Sequence, residues 1–149
     1  MGTERVRLIM GPDTEMIQVT DKPISPERII GLVKTSDSGC VVVYVGLIRD
    51  SSHGKEVVSV EYEDAEGKAV DGLREIAGEM KQKWPVKKVA IHHRTGKLKV
   101  GDINFLVAVA AGHRQEGFAA SQYAVDCFKD RLPTAKRETY ADGSVRAVE

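Results

Sequence analysis

Basic residues bracket one stretch of the chain, His113 to Glu138, which reads HRQEGFAASQYAVDCFKDRLPTAKRE. His113-Arg114 opens it, directly after the small and apolar run from Val107 to Gly112. Lys129 falls near the end of a helical segment, Pro133 stops that helix, and Lys136-Arg137-Glu138 follows. Cations at both ends of one helix, with a rigid break beside the second set, suit a pocket for an anion. Lysine supplies a point charge for phosphate or carboxylate, and a desolvated lysine becomes a base or nucleophile. Pro133 makes the chain turn between Lys129 and Lys136, which can bring both ammonium groups to one place. An arginine at a helix N-terminus opposes the dipole, a modest cost that points to a purpose other than stability. Each residue also has a plainer reading. Lys129 completes a helix end where the dipole favours a cation, and His113-Arg114 is a helix-start pair without function.

Arg49 adds a third cationic position, at the end of the strand-like run Cys40–Val45 and Gly46-Leu47-Ile48. Its guanidinium is a rigid fork of donors matched to phosphate, although it also reads as a solvated loop residue. His113 can donate to the same anion or shuttle a proton near neutrality. Other chemistries lack their residues. His92 and His93 are adjacent in a strand and face opposite ways, so one regular strand cannot present both to a metal. No HxxxH, HxH or Cys/His cluster occurs, and neither GxGxxG, a Walker A loop nor GxSxG is present. No metal and no resident cofactor is expected.

The elements that must hold these residues follow from periodicity. Residues 5–10 and 16–20 are strand candidates around a Gly11-Pro12-Asp13 turn, a hairpin-like arm. Ser25-Pro26-Glu27 starts a short helix: serine caps free N–H groups, proline tolerates the first position and glutamate complements the positive end. Cys40–Val45, β-branched and apolar on both faces, predicts a central strand. Ser51–Lys55 predicts an exposed, mobile loop, and Val57–Tyr62 a returning strand that pairs with Cys40–Val45 in a hairpin. Residues 68–84 carry Val70, Leu73, Ile76, Ala77, Met80 and Trp84 on one helical face. Strands are predicted over 86–93, 97–100 and 104–111, then a helix over 114–131 with Phe118, Val125 and Phe128 inward. The tail from Thr139 is polar, and residues 1–14 and 140–149 are expected to be mobile. The order β-β-α-β-β-α-β-β-β-α favours α+β over a doubly wound parallel sheet.

The 149 residues fit one domain and can bury roughly 70% of the unfolded surface, so neither a metal nor a disulfide is required for folding. Lys+Arg and Asp+Glu are 22 each, and this zero balance argues against broad nucleic-acid binding. Cys40 and Cys127 form no CxxC pair and read as free thiols of a reducing compartment. The N-terminal residues lack an apolar signal core, and no run approaches the ~18 apolar residues of a membrane span. The cytoplasm is the expected location.

Six motifs occur in register: Val45-Gly46-Leu47-Ile48-Arg49-Asp50; Glu61-Tyr62-Glu63; Lys83-Trp84; His93-Arg94-Thr95-Gly96-Lys97-Leu98 with Val100-Gly101-Asp102; Ala110-Ala111-Gly112-His113-Arg114; and Phe128-Lys129 with Pro133 and Lys136-Arg137-Glu138. Together they resemble the large, catalytic subunit of molybdopterin synthase over residues 15–140. The resemblance implies an α/β-hammerhead fold with an additional antiparallel β subdomain. It implies a homodimer carrying a small ubiquitin-like sulfur-carrier subunit at each end, a heterotetramer. The carrier's C-terminal Gly-Gly thiocarboxylate would enter the large subunit, and its sulfur would convert cyclic pyranopterin monophosphate to the molybdopterin dithiolene. By motif, Lys129 and Lys136 match the functional lysines. Leu47, Ile48, Arg49, His113, Arg114, Arg137 and Glu138 match substrate contacts or their neighbours, some of them acting across the dimer. The chain departs from the resembled pattern at Thr134-Ala135, where a large apolar residue and a tryptophan are usual, at Asp64–Gly67, and in its tail. A non-catalytic pterin- or carrier-binding paralogue, and a structural dimer with a vestigial pocket, are the competing readings. The catalytic reading requires both lysines and Arg49 in one cavity, and the vestigial-pocket reading does not.

Overall fold

A computed structural model describes residues 16–148 of the chain. Residues 5–15 of the expected arm lie outside the described residues, and its second strand is β1, Ile17–Thr20. The helix α1, Pro26–Val33, starts as expected, with Ser25 Oγ accepting from the Arg28 amide at 3.4 Å. Then follow β2 (Cys40–Leu47), β3 (Ser51–Ser52), β4 (Lys55–Glu63), α2 (Ala69–Lys83), β5 (Val86–Arg94), β6 (Gly96–Lys99), β7 (Ile103–Ala111), α3 (Arg114–Asp130), β8 (Ala135–Tyr140) and β9 (Val145–Val148).

Two sheets form. The first has the order β1-β5-β7-β2, with β1 parallel to β5 and the other pairs antiparallel. Side-chain alternation on β7 divides its burial between two layers. Phe105, Val107 and Val109 pack with Leu73, Ile76 and Met80 of α2 and Ala120, Ala124 and Phe128 of α3. Leu106, Ala108 and Ala110 pack with Ile29 and Val33 of α1 on the other face. The second sheet is antiparallel: β4 is flanked by β8 on one side and by β3 and β6 on the other, and β9 extends β8. Its core is Ile48, Val57, Val60, Tyr62, Leu98 and Tyr140. The expected α+β architecture with an additional antiparallel β subdomain is what forms. Among the described residues no helix is long and apolar enough to cross a membrane.

Five local expectations are corrected. Cys40–Leu47 is an edge strand, not a central one. Its apolar faces reflect α1 below and α3 above, and facial hydrophobicity carries no information on how many strand neighbours exist. β2 also does not pair with Val57–Tyr62; the chain leaves the first sheet at Leu47 and enters the second, so Arg49 sits at the crossover. The polar Ser51–Lys55 segment closes a two-residue hairpin instead of a long loop, with His53 at φ 53° and Gly54 at φ 76°. The polar tail folds back as β9, with Arg137 opposite Ala147 and Thr139 opposite Val145. Phe118, expected inward, is 60% exposed on α3.

One close approach ties β2 to the start of α3. The Gly39 amide donates to Ala111 O at 2.8 Å, and a Cβ on Gly39 would lie 2.1 Å from the Gly112 carbonyl oxygen. Gly39→Ala must therefore push apart the entry of β2 and the segment before His113. The expected loss is about 1–3 kcal/mol, read as a lower urea midpoint at unchanged m-value.

Candidate functional site

A cleft of about 540 Å³ opens where the two sheets meet. The end of β2 and the crossover supply Tyr44, Leu47, Ile48 and Arg49; β7 supplies Asn104 and Phe105. The last turn of α3 supplies Lys129, and β8 supplies Lys136 and Glu138. The fold thus brings Lys129, Lys136 and Arg49 together, with Leu47, Ile48 and Glu138 beside them. Pro133 is the cause in the sequence: α3 stops at Asp130, and after four intervening residues the chain enters β8 on the cleft side. Strand alternation then points Lys136, Glu138 and Tyr140 one way and Arg137 the other. Arg137 pairs with Glu61 on the opposite face and does not line the cleft.

His113 and Arg114 are exposed at the far end of α3, one helix length from Lys129, or about 25 Å for 17 residues. Glu116 reaches back to the His113 amide at 3.1 Å and to its ring Nδ1 at 3.2 Å, which holds this helix start in place. Within one chain they do not reach the cleft.

The charge balance of the cleft is three cations, Arg49, Lys129 and Lys136, against one carboxylate, Glu138. Among the described residues neither Arg49 nor Lys129 has a carboxylate partner, so two of the cations are available to an incoming anion. Glu138 is buried and accepts from Tyr140 Oη at 2.6 Å and Ser52 Oγ at 2.9 Å, with Lys136 Nζ 3.8 Å away. Burial opposes its charge, but these two hydrogen bonds and the lysine outweigh it, and its pKa lies below the ordinary glutamate value. Lys136 Nζ lies 6.0 Å from the centre of the Tyr62 ring. Burial pushes the Tyr62 phenol up to about 12, so its hydroxyl stays neutral while it accepts from Asn104 Nδ2 at 3.0 Å.

Behind the cleft lies His93, with no exposed surface. Its Nδ1 is 2.9 Å from the Asn104 carbonyl oxygen, which can only accept, so Nδ1 carries the proton. Nε2 then accepts from Thr134 Oγ1 at 2.9 Å. Ser52, Asn104 and Tyr140 were not singled out by sequence reasoning; Tyr62 entered only as part of a motif, and Thr134 only as a departure from the resembled pattern. Only Asn104, polar at the start of an apolar strand, and Tyr62, between two glutamates, carry a visible signal.

The fold is α+β with two sheets, and the cleft at their junction combines three cations, one carboxylate and aromatic walls, a lining whose chemistry suits an anionic ligand. The MoaE protein family matches residues 19–131, and the chain belongs to that family. It is 44% identical over 127 residues to the molybdopterin synthase catalytic subunit of Nostoc sp., covering 85% of this chain and 77% of the relative. The crystal structure of molybdopterin synthase from Staphylococcus aureus superposes with a TM-score of 0.85 at 29% identity, covering 91% of this chain and 98% of that one. A complex of subunits 1 and 2 of molybdopterin-converting factor from Helicobacter pylori shares the fold, with a TM-score of 0.67 at 14% identity, covering 89% and 88%.

Burial of His93 depresses its pKa below the ordinary 6.5. Below that pH the unfolded chain binds a proton that the folded chain refuses, so stability rises with pH through this window and is lost as pH falls below 6.5. Urea midpoints measured from pH 7 to pH 5 should fall, and His93→Asn should flatten that dependence. The Glu138 contribution, from a depressed carboxylate, is lost only at lower pH, as the medium passes below the ordinary glutamate value of 4.5.

Proposed function

We propose that this chain is the catalytic subunit of a molybdopterin synthase. It transfers sulfur from the C-terminal thiocarboxylate of a small carrier subunit to cyclic pyranopterin monophosphate, forming the molybdopterin dithiolene. The observation that carries this reading is the convergence of Lys129, Lys136 and Arg49 on one cleft. A thiocarboxylate tail and a phosphate are both anions, and the cleft offers separate cations for each. Lys129 is the group for the tail carbonyl. After the thiocarboxylate sulfur has bonded to the pterin, water adds to that carbonyl and the ammonium stabilises the tetrahedral oxyanion. Collapse of that oxyanion breaks the carbon–sulfur bond, leaving sulfur on the pterin and a carboxylate on the carrier tail. Arg49 and Lys136 suit the phosphate, with Glu138 orienting Lys136. The apolar Leu47 at the mouth, 56% exposed, suits an extended peptide tail. A vestigial pocket is not favoured, because it does not require the lysines and arginine to meet, and a non-catalytic paralogue is not favoured by the similarity to molybdopterin synthase catalytic subunits.

The reading includes a homodimer, each copy carrying one carrier subunit, in the cytoplasm. Among the described residues β2 has no strand partner on its outer edge, Val45 and Leu47 are exposed on it, and Phe118 is exposed on the helix packed above it. Such an edge is a template for a second strand. The start of β2 lies beside the beginning of α3, since Gly117 abuts Cys40 and Val42, and its end lies in the cleft. Two β2 strands pairing antiparallel about a two-fold axis would set His113 and Arg114 of one copy beside the cleft of the other. This route completes the phosphate site with the residues that one chain leaves remote.

Lys129→Ala should nearly abolish dithiolene formation from thiocarboxylated carrier and cyclic pterin while leaving the far-ultraviolet circular dichroism unchanged; an unchanged yield refutes the mechanism. Mixing inactive Lys129→Ala and Arg114→Ala proteins, with subunit exchange, should recover about a quarter of wild-type turnover if sites are shared between copies. No recovery would show that Arg114 does not complete the site across the dimer.

A further inference from the structure

The buried imidazole of His93 touches none of the cleft's ligand-facing cations, yet it contacts the neighbours of both lysines. Its ring packs edge-on to Phe128 at 4.9 Å between centroids, and Lys129 is the next residue. It packs edge-on to Tyr62 at 5.0 Å, the ring over which Lys136 sits. Nε2 holds Thr134, two residues before Lys136, and Nδ1 holds the backbone of Asn104, whose side chain in turn holds Tyr62. Phe128 is itself stacked on Phe105 of the cleft wall at 3.6 Å. Four elements therefore meet on one ring: β4, β7, the end of α3, and the turn into β8.

Resting on the sulfur-transfer reading above, we propose that His93 is the positioning residue that sets Lys129 and Lys136 relative to each other, acting through its hydrogen bond from Thr134. The physical reason lies in the turn. Residues 131–134 join a helix to a strand without regular backbone pairing of their own, and they carry the connection between the two lysines. Leu132 packs against the core and Arg131 is held by Glu79, but Thr134 is the turn residue next to β8, and its buried hydroxyl is tied to a fully buried ring held at both nitrogens. A neutral ring in the Nδ1–H tautomer is required, because only then is Nε2 an acceptor for the hydroxyl. Misplacing a catalytic group by about 1 Å costs up to about 100-fold in rate, so this anchor acts on turnover without touching substrate.

The test compares Thr134→Val, which removes the hydroxyl while keeping the shape, with Thr134→Ser, which keeps the hydroxyl. Lys129 and Lys136 are followed in the full chain by ¹³C nuclear magnetic resonance after reductive ¹³C-methylation, with Lys→Arg variants as assignments. Turnover is measured on unmethylated protein with thiocarboxylated carrier. Thr134→Val should move both lysine resonances and lower kcat by about 10- to 100-fold, with KM for the carrier changed less than about threefold. Thr134→Ser should match the wild type in both. Unmoved resonances in folded Thr134→Val, or equal defects in both variants, overturn the proposal. Moved resonances with unchanged turnover uphold the positioning role and refute instead the catalytic role of the lysines. A measurement independent of any variant's folding is the ¹⁵N spectrum of the His93 ring in the wild-type protein. An Nδ1–H, Nε2-unprotonated signature at pH 7 supports the proposal, and the opposite tautomer overturns it.

Discussion

The cleft depends on a seam of stacked rings between the two sheets. Phe105 of the first sheet stacks on Phe128 of α3, Phe128 meets His93 edge-on, and His93 meets Tyr62 of the second sheet in the same way. Edge-to-face contacts pair the positive rim of one ring with the negative face of the next, and together with the area they bury they favour one arrangement over many. The polar atoms in this seam are satisfied internally: His93 by Asn104 and Thr134, and the Tyr62 hydroxyl by Asn104. A buried polar group without a partner would cost about 1–3 kcal/mol, so the network penalises alternative packings as well as joining the sheets. Everything that faces the cleft is mounted on this seam.

Electrostatics gives the cleft its direction. Lys136 is tied to Glu138, which Ser52 and Tyr140 keep in place from the other side. Among the described residues Arg49 and Lys129 are left without carboxylates, although the molecule as a whole has no net charge. A neutral surface with a local surplus of positive charge attracts a small anion to one point without making the whole protein sticky to polyanions. The aromatic and aliphatic walls lower the effective dielectric around the bound group, so each cation counts for more than it would in water.

Much of the fold was legible in the chain because its signals are local. The Ser25-Pro26-Glu27 start of α1, the apolar stripe of α2, the stop at Pro133 and the strands around residues 86–111 all follow from capping, period and backbone stereochemistry. The errors share one origin. Cys40–Leu47 is apolar on both faces because helices cover both faces, and nothing in its period says that one edge is unpaired. The tail from Thr139 is polar because β9 lies at a sheet edge, and polarity was read as mobility. Phe118 was expected inward from its apolar character alone, but at 3.6 residues per turn it lies well off the face that holds Ala120, Ala124 and Phe128, and it points outward.

The residue types settled the chemistry to be expected: lysines on either side of a proline, an arginine at a strand end and a histidine-arginine pair suit an anion. Local backbone rules settled the break between Lys129 and Lys136 as well. Tertiary structure alone decided which cations meet. Arg49 reaches the lysines because β2 and β4 belong to different sheets, so their connection crosses the cleft. Arg137 faces away because strand alternation on β8 selects its neighbours, and His113-Arg114 stand a helix length from Lys129. The partners of His93 come from residues 11 to 41 positions away in sequence, and no local pattern encodes them. Long-range contacts depend on how the two sheets dock, and docking is set by the summed packing of the whole chain rather than by any one segment.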